Sequence, residues 1–409
     1  MKTIWFVYPY GPIVGEKGLD FRYTRFAYVL AGKGYNVIWW TANFSHSTKQ
    51  KRSSSWSTIG VLPNFSIKLV PTTSYKKNIS IRRVLFELMY ARNLGKRIKH
   101  EIKPDLIMTS GTGLFTAFNP IYPYIKKNKT PVIYDIMDIH MVNPYMSQNH
   151  KYLAPIVRLL TKIIETKEKK FYQLVNGVTG LGRNQLITAI DRTGNRNIPT
   201  ELIYNGINVD KFRFEMNNSN IDFRDKDEPD WLYCIYAGAL GPSYDIDSII
   251  GTAEFAKNNN DRIKFIFAGS GPQVDAIKIA AKTNNRIIYL GILNPKELVG
   301  FYSQCDVGLC TYASYSTVDM PDKFYDYCAA GLAIINSLNG EIKEHILNNH
   351  LGFQYEAGNC NDLYRKIRDL EDASVLSSCK KNAYAMASNF DIQKLINKLV
   401  IMMEKLMNY

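Results

Sequence analysis

WLYCIYAGALGPS, residues 231–243, combines the signal of a buried strand with that of a glycine-rich turn. Residues 231–237 are mostly apolar and have the length of one β-strand. Gly238 and Gly241 follow directly, and glycine lets a backbone take unusual angles and approach a ligand closely. We therefore expect a strand that crosses a domain core and ends in a loop with room for a ligand.

Apolar runs of the same kind recur along the whole chain, with gaps long enough for helices. In the second half they cover residues 263–268, 286–290, 306–310 and 332–336. In the first half they cover residues 3–9, 35–41, 65–70, 105–109, 131–136 and 177–180. Buried strands that alternate with helices favour parallel sheets covered on both faces. The sequence predicts an α/β protein with two doubly wound, Rossmann-like domains facing each other across a cleft.

The boundary between the predicted domains lies in a polar segment. Residues 200–229 are rich in Asn and Asp and lack apolar periodicity, which is typical of a linker. We predict an N-terminal domain over residues 1–200 and a C-terminal domain over residues 201–388. Residues 389–409 have the spacing of an amphipathic helix, which we expect either to cross back to the first domain or to cap its own.

Charge is distributed unevenly along the chain. Residues 1–200 carry 30 Lys and Arg against 10 Asp and Glu, whereas residues 201–409 carry 21 against 27. The basic half suits an anionic lipid surface, a phosphorylated acceptor or nucleic acid, unless it is simply a solvated cationic surface. Aromatic residues do not interleave with Lys and Arg in a recognisable module, which argues against nucleic acid. The sequence has no run of about 18 consecutive apolar residues, so it predicts no membrane-spanning helix.

The cysteine pattern points to a reducing compartment. All six cysteines lie in the second half, and none forms a C-x-x-C pair. We expect buried free thiols, no zinc site and a cytoplasmic location.

Loops that follow the predicted strands hold the candidate ligand-binding residues, because open parallel sheets bind ligands beyond the carboxyl ends of their strands. These candidates are Gly18, Gly238, Gly241, Gly269 and Ile292. The loop that ends at Gly18 is either an anion-binding turn or a plain flexible one. The sequence has no G-x-G-x-x-G and no P-loop motif, which weakens dinucleotide binding and argues against a P-loop NTPase.

The most informative stretch is DMPDKFYDYCAAG, residues 319–331. Pro321 fits the first turn of a helix and Gly331 fits its end. The N–H groups at this helix start, together with Lys323, offer positive charge to a phosphate. Asp326, one turn further, could accept hydrogen bonds from sugar hydroxyls. The alternative is an ordinary intrahelical pair between Lys323 and Asp326.

Several motifs now occur in a characteristic order over nearly the whole chain. They are the glycine loop before the first helix, KGYNV (33–37), IYNGINVDKF (203–212), YAGALG (236–241), GSGP (269–272) and PDKFYDYCAAG (321–331). In this order the chain resembles B-fold (GT-B) glycosyltransferases of glycosyltransferase family 4, especially those that build bacterial surface polysaccharides on a lipid carrier.

The resemblance implies a nucleotide-diphospho-sugar donor, with a UDP-sugar expected, retention of anomeric configuration, and no metal or other cofactor. Asp326 falls on the second carboxylate of the family's paired acidic motif, which would bind the ribose. The first carboxylate falls on Val318, so the adjacent Asp319 becomes the candidate substitute. The basic residues that usually clamp the diphosphate are replaced by residues 242–244, Pro-Ser-Tyr, which leaves Lys323 as the expected cation.

The predicted strand 131–136 leads to Asp138 and His140. Many relatives place an Asp or His at this strand end, and either residue would orient the acceptor hydroxyl or take its proton. The alternative is that Asp138 caps a helix and His140 is incidental. Asp245 and Asp247 match the metal-binding Asp-x-Asp of a different glycosyltransferase fold, but a helix N-cap is the favoured interpretation.

Residues 80–99 place apolar residues at helical spacing among many Lys and Arg, and residues 44–60 form a basic, Ser-rich segment that we expect to be a mobile loop. We expect both to dock on an anionic membrane surface and to receive a lipid-linked or oligosaccharide acceptor on the cytoplasmic face. The alternative for 80–99 is a helix that buries its apolar stripe in the core. Competing functions are a sugar-nucleotide 2-epimerase of the same architecture and a non-catalytic sugar-nucleotide-binding protein.

Overall fold

The computed structural model describes residues 1–16, 21–78, 80–110, 120–137, 166–194, 197–225 and 230–408. The chain divides into two compact units. Unit 1 comprises Met1–Tyr204 and Ile396–Tyr409, and unit 2 comprises Asn205–Leu395.

Unit 1 is built on one sheet. Its strands are β1 (Thr3–Val7), β2 (Asn36–Ala42), β3 (Ser57–Leu62), β4 (Phe65–Val70), β5 (Leu106–Thr109), β6 (Val132–Ile136), β7 (Gly177–Gly180) and β8 (Thr200–Leu202). The spatial order is β3-β4-β2-β1-β5-β6-β7-β8, and all neighbours are parallel except β3 and β4. Its helices are α1 (Arg22–Gly32), α2 (Ile81–Arg97), α3 (Ile121–Asn128) and α4 (Arg183–Arg192), with a 3-10 turn at Ile98–His100.

Unit 2 contains a second parallel sheet. Its strands are β9 (Leu232–Ala239), β10 (Ile263–Ser270), β11 (Ile287–Gly291), β12 (Val307–Cys310), β13 (Ala333–Asn336) and β14 (Gly352–Gln354). Its helices are α5 (Val209–Asn217), α6 (Ile246–Asn258), α7 (Val274–Thr283), α8 (Pro295–Ser303), α9 (Asp322–Ala330), α10 (Glu341–Asn348), α11 (Cys360–Arg368) and α12 (Ala373–Met386), with 3-10 turns at Asp369–Glu371 and Ala387–Phe390. The strand order β11-β10-β9-β12-β13-β14 is the doubly wound order, which reverses between β9 and β12.

The predicted α/β class is confirmed, because both sheets are predominantly parallel and every predicted apolar run forms a strand. The strands are apolar because helices cover them: all five residues of β1 and all four of β12 are buried. In α1 the apolar residues at helical spacing, Tyr23, Phe26, Ala27 and Leu30, form one face and are also buried. Burial of this face against the sheet, rather than helix propensity, stabilises such a short helix.

One sequence expectation about an irregular segment was wrong. Residues 44–60 do not form a simple loop, because their last four residues, 57–60, belong to β3, which pairs antiparallel with β4. The side chain of Arg52 donates hydrogen bonds to both carboxylate oxygens of Glu16 and to two backbone carbonyls, which fixes this segment to the loop after β1. Residues 200–229, where the sequence predicts the domain boundary, contain the division between the two units after Tyr204, and they also contain β8 and α5. Asn208 caps α5 by accepting the N–H of Lys211.

The last helix is α13 (Ile392–Met407). It begins in unit 2, and its residues from Ile396 onward belong to unit 1. The predicted apolar face is buried at Leu395, Ile396, Leu399, Met402 and Met403.

A buried ion pair ties α1 to the sheet of unit 1. Arg22 is 2% exposed and Asp135 is fully buried, and the two groups form paired hydrogen bonds of 3.0 Å. Thr179 donates a further bond to Asp135, and Arg22 also donates to the carbonyls of Ile203 and Tyr204. The carboxylate of Asp135 on β6 therefore has a structural role, since its hydrogen bonds stabilise the fold of unit 1.

Candidate functional site

The point at which the strand order of unit 2 reverses is where such sheets bind ligands. Here β9 ends at Gly238 and Ala239, and both are exposed. Gly238 pairs in register with Gly269 of β10, and both have positive φ, 140° and 141°. A Cβ on Gly269 would lie 1.8 Å from the Gly238 carbonyl oxygen, so only glycine fits there. By contrast, a Cβ on Gly241 would meet no atom within 4 Å.

Lys323 lies beside this strand end on the first turn of α9. A Cβ on Gly238 would be 3.6 Å from the Lys323 ammonium, so the glycine leaves the approach to Nζ open. The Lys323 side chain is 8% exposed, and its Nζ has no hydrogen-bond partner in the part of the chain that the structure describes. A buried cation without such a partner is costly, which points to an anionic group that completes the site.

Three tyrosine rings surround the Lys323 ammonium. Its Nζ lies 3.8 Å from the ring centre of Tyr236, 4.8 Å from that of Tyr244 and 5.0 Å from that of Tyr312. Such cation–π contacts partly replace the lost hydration of the ammonium. The tyrosines come from β9, from the turn after it and from the loop after β12, and sequence reasoning missed all three. The only sequence signal was Tyr244, which stands where a basic residue of the resembled family was expected.

Burial lowers the pKa of Lys323 from 10.5 to about 8, and the nearby Cys310 and Asp326 act in the opposite direction. The ammonium is therefore still mostly protonated at pH 7. The charge needed to bind a phosphate is present at pH 7, but the protonated form of Lys323 is favoured over the neutral form by only a small free energy.

The start of α9 adds backbone donors next to this ammonium. Its N-cap is Pro321, which offers no side-chain acceptor to the N–H groups of the first turn. Asp322 is exposed and accepts a hydrogen bond of 2.9 Å from Asn205. The helix ends at Gly331 with φ 70°, so the predicted limits of this helix are confirmed.

The remaining C-terminal candidates have different surroundings. Asp326 lies one turn after Lys323 and is partly buried. Asp319 is 8% exposed and accepts the backbone N–H of Glu341 at 3.4 Å, so it supports the N-terminus of α10. Ile292, at the end of β11, is 77% exposed. The structure thus places Gly238 beside Lys323, with Asp326 one turn further along α9, and the roles of all the candidate residues stay predictions.

In unit 1 the candidates Gly18, Asp138 and His140 lie outside the described residues. Their predicted roles are therefore carried forward as predictions. For the Asp-x-Asp at residues 245–247, the favoured N-cap interpretation is confirmed. Asp245 caps α6 by accepting a hydrogen bond from the N–H of Ser248, and it accepts another from the Tyr355 hydroxyl. Across the described ranges, no three His, Cys, Asp or Glu side chains cluster closely enough to hold a metal ion.

Helix α2 has an exposed apolar face. Ile81, Leu85, Leu88 and Met89 are 80%, 47%, 37% and 36% exposed, and their spacing puts them on one side of the helix. The opposite side is buried at Phe86, Tyr90, Ala91 and Leu94. The alternative interpretation, in which the helix buries its whole apolar stripe in the core, is therefore wrong. Within the described ranges, no helix is both long and apolar enough to span a bilayer.

Comparison with known sequences gives one family match. Residues 218–386 match the sequence model of the family described as "Glycosyl transferases group 1". These residues make up most of unit 2 and include the strand ends around Gly238 and Lys323. No curated protein sequence matches the chain.

Comparison with solved structures gives matches over the full length. Sucrose-phosphate synthase from Thermosynechococcus elongatus has a TM-score of 0.71 at 13% identity, with 99% of each chain covered. HepE from Anabaena in complex with UDP has a TM-score of 0.65 at 14% identity, over 99% of this chain and 100% of that one. WaaG, a glycosyltransferase involved in lipopolysaccharide biosynthesis, has a TM-score of 0.60 at 12% identity, over 97% and 98%.

Proposed function

We propose that the chain is a glycosyltransferase with the GT-B fold and that it moves a sugar from a nucleotide-diphospho-sugar to a lipid-diphosphate-linked glycan in the synthesis of a surface polysaccharide. The observation that carries this proposal is the buried Lys323 ammonium, which lacks a hydrogen-bond partner within the described residues and lies where the sheet of unit 2 reverses its strand order. A diphosphate supplies the missing acceptor oxygens.

A UDP-sugar is the proposed donor. Support comes from HepE, whose structures were solved with UDP and with UDP-glucose and share this fold. In the proposed complex the diphosphate contacts Lys323 and the first-turn N–H groups of α9. Gly238, which lacks a side chain, gives the diphosphate access to the ammonium. The Asp326 carboxylate accepts hydrogen bonds from the ribose hydroxyls.

In the proposed reaction, the bond between the anomeric carbon and the phosphate oxygen breaks as negative charge grows on that oxygen. Lys323 and the helix N–H groups stabilise this charge at the moment it develops. Because they supply this stabilisation, we propose transfer without a divalent metal. The acceptor oxygen forms the new bond to the anomeric carbon, and retention of configuration, which the family resemblance implies, places that bond on the face that the diphosphate leaves. Asp138 or His140 is the proposed group that orients the acceptor hydroxyl or takes its proton.

We further propose that α2 holds the enzyme on the cytoplasmic face of a membrane. Its exposed apolar face has Arg82, Arg92 and Lys96 around it, all of them exposed. An apolar stripe bordered by basic residues suits an anionic bilayer surface, where each cation contributes about 1 kcal/mol. A lipid-linked acceptor would then reach the enzyme from the same surface.

Transfer is tested with radiolabelled UDP-sugars, with and without a lipid-diphosphate-linked sugar, in the presence of chelator. We expect a labelled lipid product only when the acceptor is present. Acceptor-free conversion to an isomeric sugar nucleotide would instead identify an epimerase. Binding without turnover of any tested donor would identify a non-catalytic protein.

Membrane docking is tested by sedimentation with vesicles of phosphatidylglycerol and phosphatidylethanolamine. We expect Leu85→Ser with Leu88→Ser to lower the bound fraction strongly, and reversal of Arg82, Arg92 and Lys96 to Glu to do the same. The matched control is Ile279→Ser, which removes an apolar side chain that is 65% exposed on α7. Unchanged sedimentation of both α2 variants would reject the docking surface.

A further inference from the structure

A second polar cluster lies in unit 1, at the carboxyl ends of neighbouring parallel strands. Tyr10 follows β1, His46 follows β2 and Tyr75 follows β4. The strands β4, β2 and β1 are adjacent in the sheet, which brings these three residues together. The first turn of α2 completes the cluster with Arg83.

His46 and Lys49 make the first half of this cluster. The Nδ1 atom of His46 forms a hydrogen bond with the Tyr75 hydroxyl. The Lys49 ammonium lies 3.5 Å from that Nδ1, donates to the side-chain oxygen of Asn78 at 2.6 Å and sits 4.7 Å from the centre of the Tyr75 ring. Lys49 also has a φ of 59°, which is unusual for a residue with a side chain.

Arg83 makes the second half. Its guanidinium donates to the Asn78 carbonyl at 3.1 Å, so Asn78 contacts both cations. Its Nε lies 3.6 Å from Glu87, whose carboxylate also accepts the Tyr10 hydroxyl. A guanidinium carries five donors and an ammonium three, so both groups retain donors beyond those given to Asn78.

Positive charge is in excess in this cluster. Among the residues that the structure describes, two cations, Lys49 and Arg83, face a single carboxylate, Glu87. Burial, together with the charges of Lys49 and Arg83, lowers the pKa of His46 to about 4. Burial and the charge of Arg83 also lower the pKa of Lys49. An anion placed among the three groups would relieve this repulsion and accept their hydrogen bonds.

We propose that His46, Lys49 and Arg83 form a phosphate-binding site in unit 1 that takes the phosphate of a lipid-linked molecule. Arg83 lies on the side of α2 that faces Glu87 and Tyr10, whereas Ile81 and Leu85 lie on the exposed side of the same turns. A phosphate bound here is therefore separated from the proposed membrane face by one helix diameter, about 10 Å. The identity of the natural ligand rests on the proposed function. This ligand is either the diphosphate of the acceptor or the headgroup of an anionic lipid.

Binding is tested with inorganic pyrophosphate and NMR of the His46 imidazole, assigned by comparison with His46→Gln. We expect saturating pyrophosphate to raise the pKa of His46 by about one to three units, because an anion at this distance favours the protonated ring. The signal reports only on its own surroundings, so pyrophosphate bound elsewhere does not produce it. No change in the His46 titration would overturn the proposal, whether or not the protein transfers sugar.

Variants identify the groups and the source of the phosphate. Lys49→Asn removes the charge with a residue that tolerates positive φ, and Arg83→Gln removes the second cation. We expect each to weaken pyrophosphate binding at least about tenfold, whereas Lys76→Asn, on an exposed neighbour, leaves it unchanged. Wild-type binding by both variants would reject the site.

The transfer and vesicle assays then separate the two ligands. A raised KM for the lipid-diphosphate acceptor, with the KM for the sugar nucleotide unchanged, assigns the site to the acceptor. Weaker binding to phosphatidylglycerol vesicles, with the acceptor KM unchanged, assigns it to a lipid headgroup. If neither quantity changes in Lys49→Asn and Arg83→Gln, the site has no lipid-linked ligand and the proposal fails.

Discussion

Replacement of Lys323 by methionine should make the protein more stable and much less active. Lowering the lysine pKa from 10.5 to about 8 corresponds to a penalty of about 3 kcal/mol for keeping the ammonium charged in the folded protein at neutral pH. Methionine fills a similar volume without this penalty.

Loss of the contacts with the tyrosine rings offsets part of the gain. A desolvated cation–π contact is worth about 2 kcal/mol, and sulfur packed on the same rings recovers about 1 kcal/mol. We therefore expect Lys323→Met to raise the free energy of unfolding by about 2 kcal/mol. If Lys323 stabilises the leaving diphosphate, kcat/KM for the donor should fall by about 10²–10³.

The assay combines urea unfolding at several pH values with product formation at limiting donor. Between pH 8 and 10.5 the unfolded chain holds more proton on Lys323 than the folded chain does. The wild-type free energy of unfolding should therefore rise with pH across this window relative to that of Lys323→Met, and the difference between the two should shrink. A variant that is less stable than the wild type by more than about 1 kcal/mol, with kcat/KM within about threefold, would refute this reasoning.

Three further experiments test the charge of Lys323 and the packing of each unit. Activity at limiting donor should fall as pH rises through about 8, because Lys323 loses its proton there, and the conservative Lys323→Arg should move the decline to higher pH in a pH–rate profile. Asp135→Asn should cost about 3–5 kcal/mol in thermal unfolding because it leaves the Arg22 guanidinium buried without its counter-charge, and a cost below about 1 kcal/mol would contradict that role. Gly269→Ala should lower the melting temperature sharply, because the new Cβ would meet the Gly238 carbonyl. Gly241→Ala should leave the melting temperature nearly unchanged, and equal effects of the two substitutions would count against the packing argument.

The sequence predicted the strands well where they are buried on both faces. Three strands escaped prediction for physical reasons. Along β3 the residues alternate between exposed and partly buried, so this edge strand has no continuous apolar run. The strands β8 and β14 have three residues each, which is too short for any periodicity to register.

The site was only partly predictable. Pro321 and Gly331 mark the ends of α9 through local conformational preferences, so the position of Lys323 at a helix start followed from the sequence. The surroundings of its ammonium did not follow, because Tyr236, Tyr244 and Tyr312 come from separate segments that only the tertiary fold brings together. Burial of the ammonium depends on that packing, so no single sequence motif indicates it.

The central claim is that Lys323 and the start of α9 bind the diphosphate of the donor without a metal. Calorimetric titration of UDP and of UMP into chelator-treated protein tests it directly, since the two ligands differ by one phosphate. We predict that the wild type binds UDP at least about tenfold more tightly than UMP, and that Lys323→Gln removes most of this preference. Equal binding of the two nucleotides by the wild type, a preference that appears only with Mg²⁺, or a preference that survives in Lys323→Gln would contradict the claim.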